Sequence, residues 1–232
     1  NIRYFAKLKK NHNLKREFNF SGTDTIFNIE NSIKILDNNF KSVVNSEKIR
    51  LVTSAENIPF DKNFILSGLN LAFLGHYFNK EIDLQKNLYN WPDGIFSKIS
   101  DSRIKKMPGK NLILNLKLPE EINKIFIIGN LSKKGKTFME DYFKVEIIHY
   151  NLPFGSISEI KKKLPKINFT DKDVIFLTLP TPKQEQIAKF ISENSNYYKI
   201  LCIGGAINML CGDEKPVPKI LEKNFEFLWR LR

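Results

Sequence analysis

The chain has 232 residues, 42% hydrophobic and 27% charged, the profile of an ordinary globular protein, which excludes extensive disorder. Its 37 Lys and Arg against 25 Asp and Glu give a net charge of +12, a bias toward polyanionic partners that a Lys- and Asn-rich composition also produces by itself. No apolar run approaches the roughly 18 residues of a transmembrane helix, no signal peptide is visible, and the two cysteines, Cys202 and Cys211, are expected to be reduced and structural, which fits a cytoplasmic protein.

Taken in order, the chain begins with a basic run, Lys7 to Arg16, expected to be a solvated surface. Ile26, Ile29, Ile33, Leu36 and Phe40 then fall at helical spacing behind Asp24, an available N-cap, so an amphipathic helix is expected over Thr25–Phe40. Strands are expected at Lys48–Ser54 and Asn63–Ser67, the second running into Gly68-Leu69-Asn70 and the apolar segment Leu71–Phe78. Pro92-Asp93-Gly94 is a turn signature. Most such aspartates only bond their own backbone, but Leu88, Tyr89, Trp91, Ile95 and Phe96 on both sides predict a turn tucked against the core, where the Asp93 carboxyl is open to tuning. Met107-Pro108-Gly109 is a second turn, ahead of the apolar stretch Leu112–Leu118.

From Lys124 onward the pattern alternates. Strands read at Lys124–Ile128, Val145–His149, Val174–Leu179 and Lys199–Ile203, with helical or turn-containing segments at 131–143, 156–165 and 182–194 between them. That alternation predicts an α/β fold with a Rossmann-like, mostly parallel sheet flanked by helices. A closing helix is expected over Val217–Leu231. Residues 1–120 are read as an N-terminal lobe and 121–232 as a nucleotide-binding lobe, joined closely or continuous.

Two strand ends carry the chemistry. Val174–Leu179 lacks helical periodicity and stops at Pro180 and Pro182, which cannot continue a sheet ladder. Pro182 suits a helix start, so Lys183, Gln184 and Glu185 would sit beside unpaired backbone N–H groups. After the next strand comes Gly204-Gly205, where backbone can approach a ligand with no Cβ in the way. Side by side, such ends form the crevice that binds nucleotides and sugars in open α/β sheets.

Other motifs fail on inspection. Gly129-Asn-Leu-Ser-Lys-Lys-Gly-Lys-Thr137 puts five residues between its glycines where a phosphate-wrapping Walker loop needs four. Asp171-Lys-Asp173 precedes its strand, away from the crevice, and is expected to be a solvated turn. His12, His76 and His149 have no companions at zinc spacing, so no metal site and no cofactor is expected.

The order Asp93-Gly94, Gly129, Thr181-Pro-Lys-Gln-Glu185, Gly204-Gly205-Ala206 with Asn208, and Asn224-Phe-Glu-Phe-Leu-Trp-Arg-Leu231 resembles the WecG/TagA/CpsF family of bacterial glycosyltransferases (glycosyltransferase family 26) over about residues 65–231. The resemblance implies a fold of the GT-E class. It also implies an inverting, metal-independent enzyme that moves a sugar, often N-acetylmannosamine or its uronic acid, from a UDP-sugar to a polyprenyl-diphosphate-linked acceptor in surface polysaccharide synthesis. Asp93 would be the general base. Gly129, Pro182, Lys183, Gln184, Glu185, Gly204, Gly205 and Asn208 would hold the donor, and Asn70 and Arg230 the acceptor, with the family's early Thr-x-Asn mapped to Gly68-Leu69-Asn70 in preference to the Thr53 region.

The partners implied are the UDP-sugar, the lipid-linked acceptor, an anionic membrane met peripherally at its cytoplasmic face, and further copies of the chain; nucleic acid is not among them. The sequence departs from the family at Asn208, where members have aspartate, and at Pro216-Val217-Pro218, where they have Arg-Ala-Pro; members also continue past the closing Arg-Leu with an Arg-rich tail, which either lies outside this sequence or is replaced by other cations such as Arg230, Lys183 or Lys219. A non-catalytic module of the same fold that binds a nucleotide sugar or anionic lipid is the alternative.

Overall fold

Residues 49–83, 85–93, 105–152 and 155–213 are described in a computed structural model of the chain. The basic run Lys7–Arg16, the helices expected over Thr25–Phe40 and Val217–Leu231, and Gly94, Lys219 and Arg230 lie outside the described residues.

Six strands form one sheet: β1 (Phe64–Leu69), β2 (Leu88–Pro92), β3 (Lys124–Gly129), β4 (Glu146–Tyr150), β5 (Asp173–Thr178) and β6 (Lys199–Cys202). Their spatial order is β2-β1-β6-β5-β3-β4 and every neighbouring pair is parallel. Every residue of β1, β5 and β6 is buried, as expected of strands covered on both faces. Because β1 pairs with β6, strands from before and after residue 120 share one ladder.

The helices are α1 (Leu71–Phe78), α2 (Gly109–Asn115), α3 (Lys133–Phe143), α4 (Ile157–Lys163), α5 (Lys183–Asn194) and α6 (Ala206–Leu210). On one face Leu112 and Ile113 of α2, Met139 of α3 and Ile207 of α6 pack on Phe64, Leu66, Ile125, Phe176 and Leu201. On the other, Phe73 and Leu74 of α1, Ile160 of α4 and Ile187, Ala188 and Ile191 of α5 pack on Ile65, Ile128, Ile175 and Ile200. Alternate residues of each strand serve opposite faces, and each large side chain so covered contributes about 1.5–3 kcal/mol of burial free energy. Among the described residues no helix is long and apolar enough to cross a membrane.

Of the strand expected over Lys48–Ser54, the described residues 49–54 form one bridge, Leu51 beside Asn90. Arg50 and Val52 exchange backbone hydrogen bonds with Asn90 at 2.8 Å each, and the chain then leaves the sheet edge for a 3-10 turn, Ala55–Asn57, capped by Ser54. Two apolar stretches left unassigned from sequence, Leu71–Phe78 and the first half of Leu112–Leu118, are helical. Asp171 and Lys172 form the turn expected at the amino edge, but Asp173 is the first residue of β5 and is buried and not solvated: its Oδ2 accepts from Thr170 N and Oγ1 at 2.7 and 2.8 Å.

Neighbouring strands send their chains to opposite faces: β1 to α1, β6 to α6, β5 to α5 and β3 to α3. Outgoing chains that diverge in this way leave a crevice outside the carboxyl ends of the strands.

Candidate active site

The carboxyl edge of the sheet gathers most of the residues singled out from sequence. Asp93 follows β2, Asn70 follows β1, Gly204 and Gly205 follow β6, Pro182 to Glu185 follow β5, and Gly129 ends β3. From β2 to β5 is three strand spacings, about 14 Å, so Asp93 and the start of α5 stand on the same edge at the span of a nucleotide sugar.

Asp93 is held from β1. Asn70 caps α1, its Oδ1 accepting from Phe73 N at 3.0 Å, while its Nδ2 donates to Asp93 Oδ2 at 3.0 Å. One amide thus serves the helix with its oxygen and the carboxylate with its nitrogen. Gly68 leaves the room for this contact: a Cβ there would lie 3.1 Å from the Trp91 ring and 3.2 Å from both Cβ and Oδ2 of Asp93.

At the β5 end the chain passes a cis Thr181–Pro182 bond and enters α5 with Pro182 as its cap residue. Gln184 and Glu185 are both buried, 5% exposed. Gln184 Oε1 accepts from Gly204 N at 3.0 Å, tying the start of α5 to the end of β6, and its Nε2 donates to Thr181 Oγ1 at 3.1 Å and to Glu185 Oε1 at 2.9 Å. Glu185 Oε1 also accepts from Ser67 Oγ of β1 at 2.7 Å and from Thr181 Oγ1 at 3.2 Å. Burial pushes the Glu185 carboxyl above the usual glutamate range, against these hydrogen bonds, which favour the charged form.

The remaining residues are placed as follows. Lys183 Nζ donates to Gly155 O at 2.6 Å, fastening the β4–α4 connection to α5. Gly204 at φ 54° and Gly129 at φ 127° occupy backbone conformations that favour glycine. At Gly129 a Cβ would fall 2.7 Å from Thr178 Oγ1, so the ends of β3 and β5 meet there with no side chain between. Asn208 is buried, and its Oδ1 accepts from Ser132 N at 3.3 Å, bracing the start of α3.

Ser67 and Asn90 join this edge without having been singled out, and Thr181, quoted from sequence only as the start of its motif, proves to be a hydrogen-bonding partner of both Gln184 and Glu185. Asn90 Nδ2 donates to Ser67 O at 3.2 Å. The signal for Ser67 is a lone hydroxyl in the apolar run Phe64–Leu69, which requires a partner once that strand is buried. A separate hollow, lined by Lys80, Ile82, Gln85, Gln186 and Lys189, opens beside α5 near the beginnings of β1 and β2, and Glu185 forms part of its wall. Among the described residues no group of three His, Cys, Asp or Glu side chains is placed to hold a metal ion.

The sheet order, the crevice and the Gln184–Gly204 tie stand beside one comparison that decides the family: the model of the glycosyl transferase WecG/TagA/CpsF family matches residues 96–232. The chain belongs to that family. The match takes in β3 to β6 and the Pro182–Glu185 helix start, and begins three residues after Asp93. No curated protein matches the chain. Membership in the WecG/TagA/CpsF family makes sugar transfer its chemistry, carried on an all-parallel α/β sheet of Rossmann type.

Proposed function

We propose that the chain is an inverting, metal-independent glycosyltransferase that moves a sugar from a UDP-sugar to a hydroxyl of a polyprenyl-diphosphate-linked acceptor. The observation that carries this reading is the Asn70–Asp93 contact at the ends of β1 and β2, on the same edge as the Gln184–Gly204 tie at the ends of β5 and β6, two strand spacings or about 10 Å along the sheet. Asp93 takes the acceptor hydroxyl proton as the new C–O bond forms at the anomeric carbon, and the bond from that carbon to the diphosphate oxygen breaks on the opposite side. The departing UDP carries the charge. The positive end of the α5 dipole stabilises that charge without reorganisation at the moment of reaction, and it does so as a field and not through free donors: Lys183 N and Gln184 N, expected to be unpaired, donate to Pro180 O at 2.9 and 3.4 Å, and Gly204 N donates to Gln184 Oε1 at 3.0 Å.

Asn70 holds the base, so the acceptor lies on the β1–β2 side, and the donor lies over the ends of β6, β5 and β3. Acceptors of this kind sit in a membrane, and the net charge of +12 favours an anionic surface. The test is UDP release from a panel of UDP-sugars with a prenyl-diphosphate acceptor in detergent micelles. Wild-type protein is expected to turn over at least one donor, and Asp93→Asn to lose about 100-fold or more of kcat. Undiminished turnover in Asp93→Asn removes the base from the mechanism. UDP binding with no turnover of any donor supports the non-catalytic module instead.

A further inference from the structure

We propose that Glu185 is a positioning residue that locks the acceptor-side strand β1 to the donor-side loop after β5, acting through Ser67, Thr181 and Gln184 without touching the sugar nucleotide. The proposal rests on the functional reading above.

Three features carry it. First, one oxygen, Oε1, is the shared acceptor for hydroxyls on β1 and on the β5–α5 loop and for the Gln184 amide, at 2.7, 3.2 and 2.9 Å. Second, the other oxygen, Oε2, is buried and has no hydrogen-bond partner among the described residues, so the side-chain contacts of this carboxyl group run through Oε1. Third, the partners of Glu185 lead to both halves of the site. Gln184 reaches the Gly204 N–H, and Ser67 lies next to Gly68, whose missing side chain makes room for Asp93. A carboxyl group in that position fixes the spacing between base and donor loop. Buried networks of this kind hold one geometry only when all members are present.

Burial favours the neutral carboxyl here, and the amide introduced by Glu185→Gln would present the same acceptor oxygen without a charge. The ionisable groups around Glu185 are Cys202 on β6, whose thiol burial keeps protonated, and Lys80, Glu81, Asp83 and Lys189 around the hollow. A group whose pKa is raised by folding stabilises fully below its unfolded value and loses that contribution as pH rises through the folded value. Relative to Glu185→Gln, wild-type stability is therefore expected to decline from about pH 4.5 upward.

The experiment compares Glu185→Ala, Glu185→Gln and Ser67→Ala in UDP release, with donor KM and kcat read separately. Positioning predicts a kcat loss of about 30-fold or more in Glu185→Ala, of which Glu185→Gln recovers about tenfold, and a smaller kcat loss in Ser67→Ala, with donor KM within about threefold throughout. A donor KM raised about tenfold or more in Glu185→Gln, with Ser67→Ala unaffected, is the signature of a direct donor ligand and overturns the proposal. Absence of wild-type turnover defeats the proposed reaction alone. The same variants are then read by thermal unfolding across pH: non-additive effects of Ser67→Ala and Glu185→Gln, with the pH trend above, support the lock, and additive effects without it overturn the lock.

Discussion

Asn70 is the residue at which local structure and chemistry are hardest to separate. Its oxygen caps α1 and its nitrogen holds Asp93, so removing the side chain harms a helix and a carboxylate together. Asn70→Ala is expected to cost about 1 kcal/mol of stability for the lost cap and about tenfold in kcat for the lost contact to the base. Asn70→Ser separates the two, because serine caps nearly as well and cannot reach across with an amide. Its unfolding midpoint should stay near wild type while kcat falls as far as in Asn70→Ala; recovery of both would show that only the cap matters. Asn70 was singled out from sequence only through the family resemblance, as an acceptor-side residue, and its contact to Asp93 was not legible. That contact depends on β1 and β2 pairing in parallel with Leu69 opposite Pro92, a register no local pattern records.

Whole elements show the same division between local and distant information. β3, β4, β5 and β6, and the helices between them, were legible to within a few residues because apolar runs, prolines and glycines mark their limits. The edge before β2 was not: Lys48–Ser54 has the apolar content of a strand, yet among the described residues of that stretch only Leu51 forms a bridge, and the chain turns away at the Ser54 cap. Helix α3 illustrates how a distant residue completes an element. Ser132 Oγ accepts from Gly135 N at 2.9 Å in the usual capping manner, and Asn208 Oδ1, from α6, takes the Ser132 N–H. Ser132→Ala and Asn208→Ala are each expected to lose about 1 kcal/mol in urea unfolding. Coupling between them in the double variant is expected because they share one helix start; strict additivity would show that the Asn208 contact contributes nothing to α3.

At the scale of the molecule, two segments 91 positions apart, at Asp93 and Gln184, come to one edge because every strand runs the same way and every strand therefore ends there. The signatures at those ends are local and readable along the chain, and the parallel order makes them neighbours; the hydroxyl and carboxyl contacts between β1 and α5 needed the tertiary fold. The central claim, that this edge is one donor-and-acceptor site, is tested most directly by a crystal structure with UDP bound. The expected result is UDP over the ends of β6, β5 and β3, its diphosphate at the start of α5 and its open side toward Asp93. UDP seated in the hollow beside α5, or at the amino edge near Asp173, would contradict the account.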